Sequence, residues 1–571
     1  MRPLDVVWTA GLARLPGIAT ARAYRREWLR PDITAGLVLT ALLIPAGMGY
    51  AEAAGLPAYA GLYATIVPLL AYAIVGPSKI LVLGPDSSLA PLIAAAVLPL
   101  AVTDDPEDAL ALAGVLGVLV GLILLLGGFL RLGFVTDLLS KPIRLGYLNA
   151  IALIVVVGQL PKLLGFSVDA DNLIGEVWET LKAIAGGDID PIAAGVGFGS
   201  LAIIIAFRIW IPKVPGVLVA VIVAIIVSAA FGLVDDIGMV GALPEGMPLP
   251  SFGGVDWGDV AELIGPAAGI ALIAFADTGV LSRTFAARHG QDVNGSTEMK
   301  AIGVANIAGG MFSGFPISAS GSRTPVAEQS GAKTQLAGVV GALAVLVFIL
   351  VAPGVTKYLP DATLGAVVIV AAMALVDVSG MVRMWRMSRI EFGLAAAAFL
   401  GVALVGVLQG ILVAIGLSFV AVVARAWQPY RTELVETTDQ QGFHDVERHP
   451  EGRRIPGLVL VRFDAPLFFA NGDIFDNYVR SVVAAAEEPV QWVVVAAEPL
   501  TGLDTTAVDE VVDLDTYLES KGITLVFAEM KGPIKDRLVR FGVGVGDRFD
   551  ASQFYPTIDA AVEAFRTRSD D

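Results

Sequence analysis

Apolar stretches recur along this chain from Ile33 to Trp427, separated by short polar turns. A hydrocarbon layer of roughly 30 Å takes about 20 helical residues to cross. Leu110 to Leu130, Leu201 to Ile211 continuing past a proline break to Phe231, Leu336 to Val351, and Phe392 to Val423 read as such spans. After Trp427 the pattern changes. Short β-rich runs at Leu458 to Phe463, Trp492 to Ala496 and Thr524 to Phe527 alternate with helical stretches near Ile474 to Ala486, Ala507 to Glu519 and Ile534 to Val539. That alternation predicts an α/β domain. The chain therefore divides into an N-terminal segment (1–32), a polytopic α-helical membrane domain (33–430) and a C-terminal α/β domain (431–571).

Composition sharpens this picture. The chain has 571 residues, 56% of them hydrophobic and 16% charged, with a mean hydropathy of +0.74, far from the balance of water-soluble domains. Arg-rich residues before the first apolar run, and Ala51-Glu52-Ala53 as a small-residue site, imitate a signal peptide. The basic region is too long for one and the apolar pattern continues past the supposed cut, so the segment is expected to stay. The absence of cysteine excludes disulfides, thiolate metal sites and a cysteine nucleophile. A net charge of −17, most of it after Pro429, argues against nucleic acid as a partner and reads as solubility of the tail.

Charge placement sets the expected orientation. Arg2, Arg14, Arg22, Arg25, Arg26 and Arg30 put the N-terminus in the cytoplasm. Alternate turns then carry Lys79, Arg131 with Lys141 and Arg144, Arg208 with Lys213, Arg283 with Arg288, Arg323 with Lys333, and Arg383 with Arg386 and Arg389. The intervening turns Thr103 to Asp108 and Val234 to Asp259 hold no Lys or Arg. About fourteen crossings satisfy this alternation and return the tail to the cytoplasm.

A weak internal repeat runs in register. Ala113-Gly114-Val115-Leu116-Gly117 recurs as Ala337-Gly338-Val339-Val340-Gly341, Ser88-Leu89-Ala90-Pro91 resembles Ser322-Arg323-Thr324-Pro325, and Ala35-Gly36 matches Ala268-Gly269. About seven spans per half, an odd number, require halves of opposite orientation, the inverted-repeat plan of many secondary transporters. In such proteins, interrupted segments at matching places mark the binding site. Here they are Gly84-Pro85-Asp86-Ser87-Ser88 and Phe315-Pro316-Ile317-Ser318-Ala319-Ser320-Gly321-Ser322-Arg323. Both are expected to open short helices whose free N–H groups and positive dipole ends converge on an anion. The alternative is a pair of kinks with local caps.

The stretch from Asp32 through Ala35-Gly36, Ile44-Pro45, Gly55-Leu56-Pro57, Gly61-Leu62-Tyr63, Pro68 and Gly84-Pro85 resembles the first three spans of the sulfate permease (SulP) family of anion transporters. Asn306, Arg323 and Gly331-Ala332-Lys333-Thr334-Gln335-Leu336-Ala337-Gly338 resemble its second half. The tail from Pro456 to Ala561, with Ala465-Pro466-Leu467-Phe468-Phe469-Ala470-Asn471, resembles its STAS domain. The resemblance implies a seven-plus-seven inverted repeat with core and gate subdomains, elevator-like movement and a homodimer.

It also assigns residues. Asp277 interrupts the apolar run Ile270 to Ala286, where an ionisable group is costly unless it lines a cavity or pairs. The resemblance makes it the family's coupling carboxylate for a proton or sodium ion; a structural carboxylate is the plainer alternative. Tyr50, Asp86, Ser87, Ser88, Ser318, Ala319, Ser320, Gly321, Ser322 and Arg323 are the implied substrate contacts, with Arg323 reading equally as a group that holds Asp277 or a backbone carbonyl. Two departures from the family bear on the substrate. Ala46 follows Pro45 where many relatives carry Gln, and Asp86 puts an acid where many have small or apolar residues. Asp86 also reads as a helix N-cap. Thr505 and Thr506, after Leu503-Asp504, match a loop where related domains carry a phosphorylatable hydroxyl, although a helix N-cap is the favoured explanation of the same residues. His289, His444 and His449 show no metal spacing and read as loop residues.

The sequence thus predicts a multi-pass carrier in the cytoplasmic membrane that moves a small inorganic anion of the sulfate or bicarbonate class with a proton or sodium ion. No cofactor is expected, no metal beyond a sodium ion at Asp277, and a cytoplasmic regulatory partner for the STAS domain is open. A dicarboxylate or nucleobase symporter, an anion channel and a STAS-based receptor are the rivals. No nucleophile, metal or phosphate-loop constellation suggests an enzyme.

Overall fold

A computed structural model describes residues 15–102, 105–133, 140–168, 170, 172–211, 214–244, 246, 255–437, 442–542, 549 and 551–569. Arg2, Arg14 and Lys213, used above for orientation, lie outside the described residues, as do Thr103, Asp104 and 247–254. The chain forms two compact units, Met1–Ser418 and Phe419–Asp571. The division falls inside the last apolar helix, earlier than the boundary after Tyr430 expected from composition.

The membrane unit is helical. Its first half comprises α1 (Leu29–Ala53), α2 (Ala58–Val75), the two-residue strand β1 (Leu83–Gly84), α3 (Ala90–Val97), α4 (Pro106–Phe129), α5 (Lys141–Leu164), α6 (Leu173–Gly186), α7 (Pro191–Trp210) and α8 (Gly216–Phe231). The second half comprises α9 (Trp257–Arg288), α10 (Gly295–Met311), β2 (Ser318–Ala319), α11 (Arg323–Gln329), α12 (Leu336–Val351), α13 (Asp361–Met373), α14 (Val378–Met387), α15 (Arg389–Val405) and α16 (Val407–Trp427). Among the described residues, 7 helices are long and apolar enough to cross a membrane by length and composition, with shorter apolar helices such as Gly216–Phe231 and Leu336–Val351 beside them. Leu122, Leu126, Phe129, Ile205, Ile209, Trp210, Val347 and Leu350 leave apolar surface outward, as lipid-facing positions must.

The proline break read in one apolar run is present, and a second run, read without one, is also broken. Leu201 to Phe231 splits into α7 and α8 before Pro215, whose ring cannot continue a helix, and Phe392 to Val423 splits at Gly406, which has a φ of 125°.

The helices pack as two groups. In one, α1, α2, α4, α9, α10 and α12 lie together, with α10 against α4 and α2, and α12 against α1 and α2. The halves mirror each other there: α1 meets α12 as α9 meets α4. The repeated sequence pairs fall on these matching elements, α1 with α9, α3 with α11 and α4 with α12. The closest approach, α4 to α10, depends on glycine. A Cβ on Gly121 would stand 2.6 Å from the Gly303 carbonyl oxygen, and one on Gly310 would stand 2.4 Å from that of Gly114. Small residues let helices pack closely where lipid offers no hydrophobic drive. The other group joins α5 to α13 and α15, and α7 to α8 and α13. These are the core and gate subdomains implied by the resemblance.

In the soluble unit the sheet order is β4-β3-β5-β6-β7-β8, formed by β3 (Arg431–Glu436), β4 (Phe443–Asp445), β5 (Leu458–Phe463), β6 (Trp492–Ala496), β7 (Thr524–Ala528) and β8 (Phe554–Tyr555). β5 through β8 are parallel, with Val459 beside Val493 and Val493 beside Leu525. Runs of buried Val suit strands covered on both faces. One face packs on α17 (Gly472–Ala485), α18 (Thr505–Ser520) and α19 (Gly532–Gly542), the other on α20 (Ile558–Ser569). β3, β4, β8 and α20 were not read from the sequence; they are short or carry charges that blur their period.

Candidate functional site

The two interrupted segments meet. β1 and β2 pair antiparallel, Leu83 opposite Ala319 and Gly84 opposite Ser318. Residues expected to begin helices are therefore extended first, and α3 and α11 start only at Ala90 and Arg323. Pro85 accounts for Gly84, because a proline disfavours helical backbone in the residue before it, and Pro316 acts likewise on Phe315, ahead of β2. Irregular backbone at this depth requires every polar group to find a partner. The Thr278 hydroxyl accepts from Ala319 N at 3.1 Å, and the Thr324 hydroxyl accepts from Val82 N at 3.1 Å. Asn306 donates to the Ile302 and Ile317 carbonyls at 3.0 and 3.1 Å and accepts from Ile317 N at 2.8 Å. Gln335 donates to the Ser78 and Leu81 carbonyls, each at 2.8 Å. From α1, the carboxylate of Asp32 accepts from Lys333 N at 2.6 Å and the Thr334 hydroxyl at 2.7 Å. In the sequence Asn306 figures only as part of the family pattern, and Thr278, beside Asp277 in an apolar run, carries a polar signal that could have found it.

A cavity of about 570 Å³ lies beside this strand pair, lined by Tyr50, Asp86, Ser87, Ser88, Asp277, Ala319, Gly321, Ser322 and Arg323. These predicted residues are brought together from α1, α9 and both interrupted segments. Ala46 also lines it, so its departure from the family pattern falls on the cavity wall. Ser318 and Ser320 are fully buried and lie outside the lining. Strand pairing turns Ser318 inward, while the Ser320 hydroxyl accepts from Arg323 N at 3.2 Å. Asp86 makes the bonds of a cap on the turn that leads into α3: its carboxylate accepts from the backbone and hydroxyl of Ser88, at 3.2 and 2.9 Å, and its carbonyl accepts from Ala90 N at 3.2 Å.

Arg323, at the first position of α11, is 2% exposed. Its Nη2 donates to the Pro85 carbonyl, whereas Nε and Nη1 have no hydrogen-bond partner among the described residues. Gly84 makes room for this group, since a Cβ there would stand 3.0 Å from Nη1. A buried guanidinium with unmet donors at a cavity wall is suited to an anionic oxygen.

Asp277, 7% exposed, faces the same cavity. It accepts from the Ser88 hydroxyl at 3.0 Å and the Tyr147 hydroxyl at 3.5 Å, and Arg144 Nε lies 3.9 Å away. Arg144, Tyr147 and Arg208 were not read as site residues; as charges and an aromatic near helix ends, they look in sequence like orientation signals and belt residues. Arg144 near the start of α5, Arg208 near the end of α7 and Val214 to Val217 ahead of and within α8 also line this cavity. At the opposite end of α5, Lys162 Nζ lies 3.4 Å from Glu52 Oε2 of α1. Another buried carboxylate, Glu298, receives the Ser78, Ser282 and Tyr72 hydroxyls, the first two at 2.8 and 2.6 Å.

In the soluble unit Asp504 caps α18, accepting from Ala507 N at 2.9 Å and from Phe469 N at 2.8 Å. Thr505 and Thr506 follow it, exposed, in the first turn. His444 lies in β4 and so is not the loop residue expected, whereas His289, in the turn that follows α9, and His449 lie outside helix and strand as read.

Comparison with known proteins agrees with this architecture. The sulfate permease family profile matches residues 29–398, and the STAS domain profile matches 449–561. A probable sulfate transporter of Mycobacterium tuberculosis is 38% identical over 566 residues, covering 99% of this chain and 100% of its own length. A probable sulfate transporter of Arabidopsis thaliana is 28% identical, covering 94% of this chain and 83% of its own. Among solved structures, the murine Slc26a9 anion transporter in the inward-facing state aligns with a TM-score of 0.90 at 22% identity, covering 98% of this chain and 95% of that one. The transmembrane domain of the cyanobacterial bicarbonate transporter BicA aligns with a TM-score of 0.59 at 22% identity, covering 70% of this chain and 98% of that one. With both domains matched and a full-length relative above a third identical, the chain belongs to the sulfate permease family, whose members are membrane transporters and not enzymes.

Proposed function

We propose that this protein is a secondary carrier of a small inorganic anion, of the sulfate or bicarbonate class, which it moves together with a proton or sodium ion through Asp277. The carrying observation is the buried Arg323 guanidinium, with Nε and Nη1 unpaired, on one wall of the cavity that Asp277 shares. Its donors suit a tetrahedral or planar oxyanion, and Ser87, Ser88 and Ser322 add hydroxyls around it. The names of the relatives, sulfate transporters in bacteria and plants, favour sulfate.

A carboxylate at this depth is costly unless a cation joins it, which favours coupled carriage over passive conduction. The two helix groups meet across the cavity, and the reading includes an elevator-like movement of the group bearing Asp277 against the other. It also includes a homodimer in the cytoplasmic membrane with both termini in the cytoplasm. There the exposed Thr505 and Thr506 would be open to a regulatory partner or phosphorylation.

The test is uptake of a labelled anion panel into proteoliposomes with proton and sodium gradients imposed independently. Asp277→Asn should abolish gradient-driven accumulation, while anion-for-anion counterflow persists because Arg323 remains. Accumulation by Asp277→Asn at the wild-type rate, with unchanged cation dependence, would return Asp277 to a structural role.

A further inference from the structure

Asp277 and its nearest cation belong to different helix groups. The carboxylate sits on α9, which packs against α4, whereas Arg144 and Tyr147 sit on α5, which packs against α13 and α15. Arg144 Nε is 3.9 Å from Asp277 Oδ1, and its side chain, which lines the same cavity, is 34% exposed against 10% for Asp277. The charged and titratable groups facing Asp277 are Arg144 and Tyr147 from α5 and Asp86 from the segment before α3.

Charge accounting around this point is uneven. Asp86 and Asp277 bracket one hydroxyl, that of Ser88, which lies 2.9 Å from the first and 3.0 Å from the second. The fixed positive charge within the same helix group is Arg323, whose Nη2 is held by the Pro85 carbonyl. One hydroxyl proton cannot serve both carboxylates, and with both ionised the pair carries one negative charge more than Arg323 offsets, which is strongly disfavoured in a buried place. Arg144 supplies the missing positive charge, but from the other group.

We propose that Arg144 is a tethered substitute for the coupling cation. With the two groups placed as in this structure, where Arg144, Arg208 and Pro215 line the same cavity as Asp277, Arg144 neutralises Asp277, so a bound proton or sodium ion is displaced toward the Arg144 side. When the group bearing Asp277 moves against α5, the pair separates, and Asp277 regains a need for a cation drawn from the opposite side. Arg144 is thus a positioning residue acting through Asp277, and it gives coupling its direction. This rests on the reading of Asp277 as the coupling carboxylate.

The test uses the full chain reconstituted in one orientation, verified by protease access to the C-terminal domain. Labelled sulfate is the probe. Uptake is measured against the concentration of the driving cation on the Arg144 side, with each variant normalised to its own rate without that cation, so that a general slowing cancels. Arg144→Gln should hold the cation more tightly there, lowering the half-inhibiting concentration about tenfold, whereas Arg144→Lys, which keeps the charge, should stay near wild type. If Arg144→Gln does not reconstitute, Arg144→Met, which keeps the apolar stem, carries the same expectation. Equal inhibition curves for wild type and the neutral variant would overturn the proposal, as would a lysine variant as sensitive as the neutral one. Asp277→Asn separates the two claims. Wild-type cation dependence in Asp277→Asn defeats the coupling reading itself, whereas its loss there beside an unshifted Arg144→Gln curve defeats this inference alone.

Discussion

Gly84 and Arg323 occupy one another's space: a Cβ on the glycine would stand 3.0 Å from Nη1 of the arginine, and the glycine has a φ of 149°. The first half of the repeat thus supplies the absence of a side chain, and the second half fills it with a charge. Their backbones are tied together through the pairing of Gly84 with Ser318.

Gly84→Ala should therefore do two separable things. The backbone angle is one that side-chain-bearing residues rarely adopt, which costs on the order of 1–3 kcal/mol and should appear as a lowered melting temperature. The displaced guanidinium should also lose its grip on the anion. A hydrogen bond to a charged group is worth about 1.5–3 kcal/mol, so affinity measured by calorimetry should fall about tenfold or more. A variant that melts lower but binds sulfate as tightly as wild type would show that Arg323 does not hold the anion.

Much of this site was legible before any coordinates. Asp277 and Arg323 stood out because charge in an apolar run must be explained, and the paired proline and glycine interruptions marked where the helices break. What the sequence hid were directions. Ser318, Ser320 and Ser322 are alike as residues in a row, yet strand pairing turns the first into the interior, the α11 backbone claims the second, and the third lines the cavity. Arg144 was visible only as a loop charge, because its approach to Asp277 depends on how α5 crosses a helix more than a hundred residues away. In the soluble unit the buried valine strands were plain, whereas β4, with His444 between Phe443 and Asp445, carries no apolar period to read.

The serines offer a contrast within one motif. Ser322 is exposed to the cavity, so Ser322→Leu should weaken anion binding about tenfold or more with little change in melting temperature. Ser320 has no exposed surface, and leucine there must be forced into packed space at a cost of about 1–3 kcal/mol. Ser320→Leu should melt lower than Ser322→Leu, and calorimetry beside thermal melts of both variants reads the difference. Equal melting losses would place the two side chains in equivalent surroundings, against the geometry described.

Asp445 supplies a pH dependence outside the membrane. The hydroxyl of Tyr430 donates to its carboxylate, Thr432 donates at 2.7 Å and Glu447 N at 2.8 Å. These hydrogen bonds, that of Tyr430 foremost, hold the carboxyl at about 2, below its ordinary value near 3.9. The folded state therefore binds this proton less readily than the unfolded chain. The resulting stabilisation is complete above about pH 4 and is lost as pH falls toward 2. Tyr430→Phe removes the leading donor and should raise the carboxyl toward its ordinary value. The melting temperature of the C-terminal domain, followed in the full-length protein, should then be lower in the variant at neutral pH, and the gap should close as the pH is lowered from 4 to 2. A gap that stays constant across that range would assign the loss to tyrosine packing, with Asp445 making no contribution through its charge.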